Sequence, residues 1–427
     1  MRVRMDYGKT GREVEIPDGN LLGVLGITPA PPIEDADTAI RKALESPIGT
    51  GPLSELAKGK RTACLVICDI TRPVPNETLL LPMIGVLEAS GVPREGITVL
   101  IATGTHRPNL GDELVALVGE TIASQYRCVN HECKDTDMMI DLGVSPNGVP
   151  VKLNRLYVEA ELRISVGLIE PHFMAGYSGG RKLIMPGIAA FETVQAWHCP
   201  RFLEHPKAIM GVLEGNPVHA ENLAIAKMAP QDFILDVTLD EQNRITGVYA
   251  GHMEAAWLEG VAFAAAHVRA GVSQLADIVL TSGAGYPLDG TFYQTVKGMV
   301  GALPAVKEGG TIIVVSACPE GIGSPDFTAT LLGAGDLVSF VAHISEPGVF
   351  LPEEWQVEEL AKASRRAEIV VVTDGIAPDL LSRCFVGTAL TAEAALVRAF
   401  EKHGKDATLT VIPRGPYVIP FVENDRE

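Results

Sequence analysis

The side chains able to do chemistry in this sequence cluster where apolar runs stop. The run 62–68 (TACLVIC) gives way to Asp69-Ile70-Thr71-Arg72-Pro73-Val74-Pro75, so a carboxylate, a hydroxyl and a guanidinium stand at the mouth of a predicted strand. Arg is a natural fork for a carboxylate or phosphate, and Pro73 and Pro75 stiffen the loop that aims it. A plain strand-to-helix turn with a surface salt bridge would use the same residues equally well. The run 97–102 ends in Thr103-Gly104-Thr105-His106-Arg107-Pro108, and 162–166 leads to Glu170-Pro171-His172-Phe173. A lone histidine is ordinarily structural, but two in equivalent topological places point to paired acid/base work on the two faces of one carbon.

The densest motif is Gly176-Tyr177-Ser178-Gly179-Gly180-Arg181-Lys182-Leu183-Ile184-Met185-Pro186-Gly187. Its glycines let a backbone approach a ligand closely, and its N–H groups can cradle a phosphate beside Arg181 and Lys182. It is not a Walker A loop, because Leu183 stands where a hydroxyl is required, and no GxGxxG follows a strand, so classical nicotinamide binding is unsupported. Trp197-His198-Cys199 adds a third histidine, and neutral imidazole suits zinc, copper, iron or nickel. Further on, Tyr293, Gln294 and Lys297 are expected on one side of a helix, reaching an anionic substrate across a cleft; a solvated helix face is the alternative. Cys128, His131 and Cys133 invite a zinc reading, but their spacing is wrong for a CxxC clip and no second clip follows, so a strand ending in a polar turn is expected.

The elements that must hold these residues alternate strand and helix. Residues 1–16 alternate in period two around Gly8-Lys9-Thr10-Gly11, a hairpin signal. Strand-like runs at 62–68, 97–102 and 162–166, with helical patterns at 77–89 and 112–118 and a further apolar run at 188–197, suit buried parallel strands with crossover helices. A strand pair is expected in 232–250, joined by Glu241-Gln242-Asn243, then one long helix over 252–270 acting as a hinge. The pattern restarts with strands at 278–281, 311–316 and 369–373 and helices at 291–300 and 353–364. The fold class is therefore α/β: two α/β domains with mainly parallel sheets, residues 1–270 and a smaller 271–427, with the active site in the cleft between them.

The 427 residues give ample core, and 35 Lys and Arg against 53 Asp and Glu leave a net charge of −18 with no basic stripe, which speaks against nucleic acid as a partner. No run approaches the roughly 18 apolar residues of a membrane span, and the N-terminus lacks an apolar leader core. Seven cysteines, an odd number mostly inside apolar runs, read as reduced thiols, so a soluble cytoplasmic protein is expected.

Taken in order, Asp69-x-Thr71-Arg72-Pro73, Gly104-Thr105-His106-Arg107, Pro171-His172, Gly176 to Lys182 with Pro186-Gly187, His198 and Tyr293-Gln294-x-x-Lys297 resemble the nickel-dependent lactate racemase family, over most of the chain. The resemblance implies a nickel-pincer nucleotide, a pyridinium mononucleotide whose sulfur-bearing groups and ring carbon C4 hold Ni(II) in a square plane, built by dedicated cofactor-biosynthesis enzymes. It further implies a thioamide tether at Lys182, nickel ligation by His198, and His106 and His172 as the acid/base pair. Arg72 and Lys297 would bind the anionic substrate, with Tyr293 and Gln294 shaping its pocket. Thr71, Ser178, Gly179, Gly180 and Arg181 would line the cofactor, and Asp69 would either orient Arg72 and His106 or contact the ribose. The implied reaction racemises a small 2-hydroxy acid such as lactate by hydride transfer to C4, with Phe173, Met174 and Trp355 limiting substrate size. An NAD-dependent dehydrogenase and a non-enzymic nickel or nucleotide carrier are the alternatives; the oligomeric state is not legible.

Overall fold

The computed structural model describes residues 1–346 and 348–423, so the last four residues of the segment 271–427 lie outside it. Two six-stranded sheets carry the architecture. In the first, the order is Ile245–Gly251, Phe233–Leu239, Leu162–Leu168, Ala63–Cys68, Ile97–Ala102 and Arg127–Asn130, parallel throughout except for the hairpin pair at one edge. The second sheet is wholly parallel: Gly387–Thr388, Ala367–Val372, Val306–Val315, Ala276–Ser282, Leu409–Ile412 and Leu21–Val24. Strands buried on both faces read as nearly continuous apolar runs, as ACLVIC and ITVLIA do, while FILDVTL interrupts its run with Asp236 and Thr238.

The expected strands at 62–68, 97–102 and 162–166 form within two residues of their expected bounds, and the helical patterns become Asn76–Ala89, Asp112–Val118, Phe292–Gly301 and Glu354–Arg366. The run 188–197 becomes the short helix Phe191–Trp197, and the predicted hinge helix spans Ala255–Val268. The opening hairpin forms as Arg2–Met5 against Arg12–Glu15. It does not sit with the first sheet. Val3, Met5, Val14 and Ile16 are buried against Ile278, Leu280, Ile313 and Val315 of the second, each worth roughly 1.5–3 kcal/mol of burial. Leu21–Val24 then adds an edge strand to that sheet, so the opening segment lies on the second sheet although the sequence division grouped it with the first. Four residues with a glycine give too weak a local signal to declare a partner some 390 positions away.

Both sheets present a topological switch point to the same cleft. From Ala63–Cys68 successive strands run outward through Ile97–Ala102 to Arg127–Asn130, and the chain then returns to place Leu162–Leu168 on the other side. In the second sheet Ala276–Ser282 plays the same part, with Val306–Val315 on one flank and Leu409–Ile412 on the other. Connections leaving adjacent strands in opposite directions open a crevice at the carboxyl ends, where open α/β sheets bind ligands.

The suspected cysteine cluster is structural. His131 is buried, with Nε2 2.9 Å from the Ala189 carbonyl oxygen and Nδ1 3.0 Å from the Asn154 amide nitrogen, and its pKa is lowered to about 4 by burial. Among the described residues no three His, Cys, Asp or Glu side chains are grouped to hold a metal ion. Nor, among them, is any single helix long and apolar enough to cross a membrane. The apolar pair Pro325–Gly333 and Leu337–Ile344 is bent by 113° and buries Phe327, Leu331, Phe340 and Ile344 in the core.

Candidate active site

Three adjacent strands of the first sheet end at one cleft, and each delivers part of its wall. Ala63–Cys68 delivers Asp69, Thr71 and Arg72; Ile97–Ala102 delivers Thr103 to His106; Leu162–Leu168 leads to His172, Phe173 and Met174. The glycine-rich turn adds Ser178, Gly179 and Lys182, and the residue after helix Phe191–Trp197 adds His198. From the second sheet's side come Tyr293 and Lys297 on helix Phe292–Gly301, and Trp355 and Gln356 on helix Glu354–Arg366.

Asp69 organises one wall. Its Oδ2 lies 2.7 Å from His106 Nδ1, and its Oδ1 accepts from the Thr71 hydroxyl at 2.5 Å. Burial raises its pKa, but His106, Arg72 and Thr71 outweigh burial and hold it below the usual carboxylate value. Arg72 Nε meets Glu170 at 2.8 Å and Nη1 donates to Thr71 Oγ1 at 3.0 Å. Burial works against its charge, yet Glu170 and Asp69 keep it cationic.

The two histidines are anchored in opposite senses. A carboxylate at Nδ1 fixes the Nδ1–H tautomer of His106 and leaves Nε2 as an acceptor. His172 Nδ1 instead accepts the backbone N–H groups of Ala175 at 3.2 Å and Met174 at 3.4 Å, so its neutral ring carries the proton on Nε2. Burial first, and then the surrounding basic groups, hold its pKa well below the ordinary histidine value. Its ring stacks on Phe173 with centroids 4.9 Å apart.

Lys182 enters the cleft as a depressed amine. Burial, then Arg181, Arg72 and Lys297, push its pKa well down, favouring the uncharged form that attacks electrophiles. Lys297, buried beside Arg72, falls to about 7, with Glu170 and Asp69 opposing the drop. His198 is packed between Trp197 and Trp355, with ring centroids 3.9 and 4.7 Å away, and its buried Nδ1 has no protein partner. Burial pushes its pKa well below the ordinary histidine value, favouring the neutral ring that a metal-binding imidazole must be.

Gln294, Gly180 and Arg181 stand behind the wall. Gln294 does not line the cleft, because neighbours on a helix point about 100° apart and only Tyr293 and Lys297, at i and i+4, share the cleft face. Gln356 occupies that wall instead, its amide donating to the Tyr293 carbonyl at 2.6 Å, while Trp355 Nε1 donates to the Tyr293 hydroxyl at 2.9 Å. Arg181 turns inward. Its guanidinium lies 3.9 Å from the Trp257 ring centroid and donates to the carbonyls of Ala175 and Tyr177 at 3.0 and 3.1 Å. Gly180 gives its N–H to Asp236 at 2.8 Å, and the Ser178 hydroxyl donates to the Leu168 carbonyl at 2.7 Å. Sequence reasoning did not single out Glu170, Gln356, Asp236 or Trp257 as partners of the site; the only signal for Asp236 is a charge inside an otherwise apolar strand.

These features define a two-domain α/β enzyme whose cleft combines paired imidazoles, a buried amine and cations suited to a small carboxylate. The chain matches the lactate racemase N-terminal domain over residues 7–211 and the lactate racemase C-terminal domain over 272–420. It is 35% identical over 422 residues to the lactate racemase of Thermoanaerobacterium thermosaccharolyticum, covering 98% of each chain. To the lactate racemase of Lactiplantibacillus plantarum it is 36% identical over 429 residues, covering 98% of this chain and 99% of the relative. The solved lactate racemase apoprotein from T. thermosaccharolyticum superposes with a TM-score of 0.92 over 98% of this chain and 100% of that one. A Thermotoga maritima protein at 18% identity shares the fold, with a TM-score of 0.70. The chain belongs to the lactate racemase family.

Proposed function

We propose that this protein interconverts the enantiomers of lactate or a close 2-hydroxy acid, using a nickel-pincer nucleotide joined to Lys182. The observation that carries the reading is the convergence of His106, His172, Lys182, His198, Arg72 and Lys297 on one cleft from separate elements of the fold. The donor set suits the group: an imidazole with an unpartnered nitrogen at His198, and at Lys182 an amine whose uncharged, acylatable form is favoured by burial. When bound, such a cofactor supplies nickel and an electrophilic ring carbon able to take up the C2 hydrogen as hydride.

The chain's own residues do the rest. Arg72 and Lys297 neutralise the substrate carboxylate, and Glu170 braces Arg72 from behind. His106, held by Asp69, accepts the hydroxyl proton at Nε2 for one enantiomer. For the other enantiomer His172 is the base, which requires its ring to release the Ala175 and Met174 N–H groups and shift its proton to Nδ1 so that Nε2 can accept the hydroxyl proton. Phe173, Met174 and Trp355 are buried apolar walls that exclude water and leave room for a small substituent. Thr71, Ser178 and Gly179 line the cofactor's space, while Gly180 and Arg181 support it through the turn. Gln294 backs the helix that carries Tyr293 and Lys297. The first sheet and the turns at its strand ends form the cofactor domain, the second sheet with the opening hairpin and Leu21–Val24 forms the substrate domain, and the protein works in the cytoplasm after loading by the cofactor-building enzymes.

The test is mass spectrometry with metal analysis on protein made alongside those enzymes. Active protein is expected to carry a modified mononucleotide on the Lys182 peptide together with nickel, and Lys182→Ala to lack both adduct and activity. His198→Ala is expected to stay folded while losing nickel. An active protein with an unmodified Lys182 would sink the assignment.

A further inference from the structure

A fully buried carboxylate lies beneath the turn that carries Lys182. Asp236 stands in the middle of the strand Phe233–Leu239, in register with Gly167 of the neighbouring strand, and has no solvent exposure. Its Oδ2 accepts the N–H of Gly180, the first residue of the turn Gly180–Leu183, and its Oδ1 has no hydrogen-bond partner. Burying this acid with one oxygen unpaired is costly, burial raising its pKa to about 7 against the opposing Gly180 N–H and Arg181, and an apolar residue would fill the same space without that cost.

The surrounding glycines show what the carboxylate fits. A Cβ at Gly167 would come within 2.8 Å of Asp236 Oδ1, and one at Gly179 within 2.9 Å of Oδ2 and 3.1 Å of the Leu168 carbonyl oxygen. Gly179 and Gly180 are both left-handed, at φ +77° and +48°, so the chain reverses through two residues that have no side chain to hold it in place. The Lys182 N–H closes the reversal onto the Gly179 carbonyl at 3.0 Å, and outside groups tie the turn to its surroundings. Trp257 Nε1 donates to the Ser178 carbonyl at 2.7 Å, and Gln231 donates to the Gly180 carbonyl at 3.2 Å. Gly180's N–H is taken by Asp236 alone.

From this juxtaposition we infer that Asp236 is a positioning residue for Lys182: by fixing the Gly179-Gly180 reversal from below, it sets the direction in which the Lys182 amine enters the cleft. Asp236 lines no part of the cleft and touches no reacting atom, so its effect passes through the turn. The inference rests on the Lys182 reading for what becomes attached there, but not for the geometry of the turn.

The experiment uses the apoprotein, so it succeeds or fails independently of the cofactor assignment. Wild type, Asp236→Asn and Asp236→Ala are treated with limiting N-hydroxysuccinimidyl acetate at pH 7, and acetylation at Lys182 and Lys297 is read by peptide mass spectrometry. Lys297 shares the cleft and serves as an internal reference for reagent access. Asp236→Ala is expected to change the Lys182-to-Lys297 labelling ratio severalfold, because the amine then enters the cleft in another direction and meets the reagent differently. Asp236→Asn keeps an oxygen for the Gly180 N–H and is expected to stay near wild type. If Asp236→Ala does not fold, hydrogen exchange of the wild-type Gly180 amide decides. Protection matching the amides of Phe233–Leu239 is expected, and exchange at the rate of an open loop would overturn the inference, as would an unchanged labelling ratio in a folded Asp236→Ala.

Discussion

Asp69 Oδ2 and His106 Nδ1 lie 2.7 Å apart, and this contact fixes which ring nitrogen of His106 faces the cleft. Because Asp69 is buried and its other oxygen is held by Thr71, the carboxylate cannot turn away without leaving a charge unpaired. Asp69→Asn keeps the shape but can present an N–H to Nδ1, favouring the wrong tautomer. The expected result is a loss in kcat of about 100-fold or more with a smaller change in KM, while the Lys182 adduct and nickel content stay normal. Steady-state kinetics beside metal analysis checks this; a normal kcat would mean that Asp69 serves another role.

The opposite anchoring of the two histidines is measurable directly. Long-range 15N–1H correlation on labelled protein at neutral pH is expected to find His106 protonated at Nδ1 and His172 at Nε2, since a carboxylate meets one Nδ1 and two backbone N–H groups meet the other. Two histidines in the same tautomer would contradict the assignment. Either histidine changed to Ala is expected to cost racemisation at least ~100-fold, the low end of acid/base contributions.

Lys297 predicts the pH dependence of anion binding. Its pKa is lowered to about 7, from an ordinary value near 10.5, by burial and then by Arg72. Below about 7 it is cationic and ready for a carboxylate; above, it is neutral and must take up a proton when the anion binds. Affinity for a non-reacting carboxylate such as propionate is therefore expected to fall as pH rises above 7, with proton uptake visible as a buffer-dependent binding enthalpy in calorimetry. Lys297→Met is expected to bind more weakly and to flatten the pH dependence. A pH-independent affinity in the wild type would show that Lys297 does not meet the anion.

Much of the cleft was legible because it is built from strand ends, and buried parallel strands announce themselves as short apolar runs. The run TACLVIC located Asp69 and Arg72, and ITVLIA located His106, because the residue after such a run has few places to go. What a linear pattern cannot carry is the direction of a side chain within a turn. Arg181 looked like a phosphate ligand beside two glycines, yet φ +48° at Gly180 turns it onto Trp257, far along the chain. Gln294 looked like a cleft residue from its neighbours, but the helix rotates it off their face, and Gln356 reaches the wall from a helix that only tertiary packing brings near. The transfer of the opening hairpin and Leu21–Val24 to the second sheet has the same cause, since local alternation specifies a strand and not its partner.

The most direct measurement of the central claim follows lactate deuterated at C2 and of a single hand, incubated in ordinary water with loaded protein and no added NAD, by chiral chromatography with mass detection. The account predicts approach to equal amounts of the two enantiomers from either starting hand, with most of the deuterium kept in the inverted product, because the C2 hydrogen moves as hydride and never joins an exchangeable nitrogen. No interconversion by protein carrying nickel and the Lys182 adduct would contradict the racemase reading, and inversion with wholesale loss of deuterium to water would contradict the hydride chemistry while leaving the racemase intact.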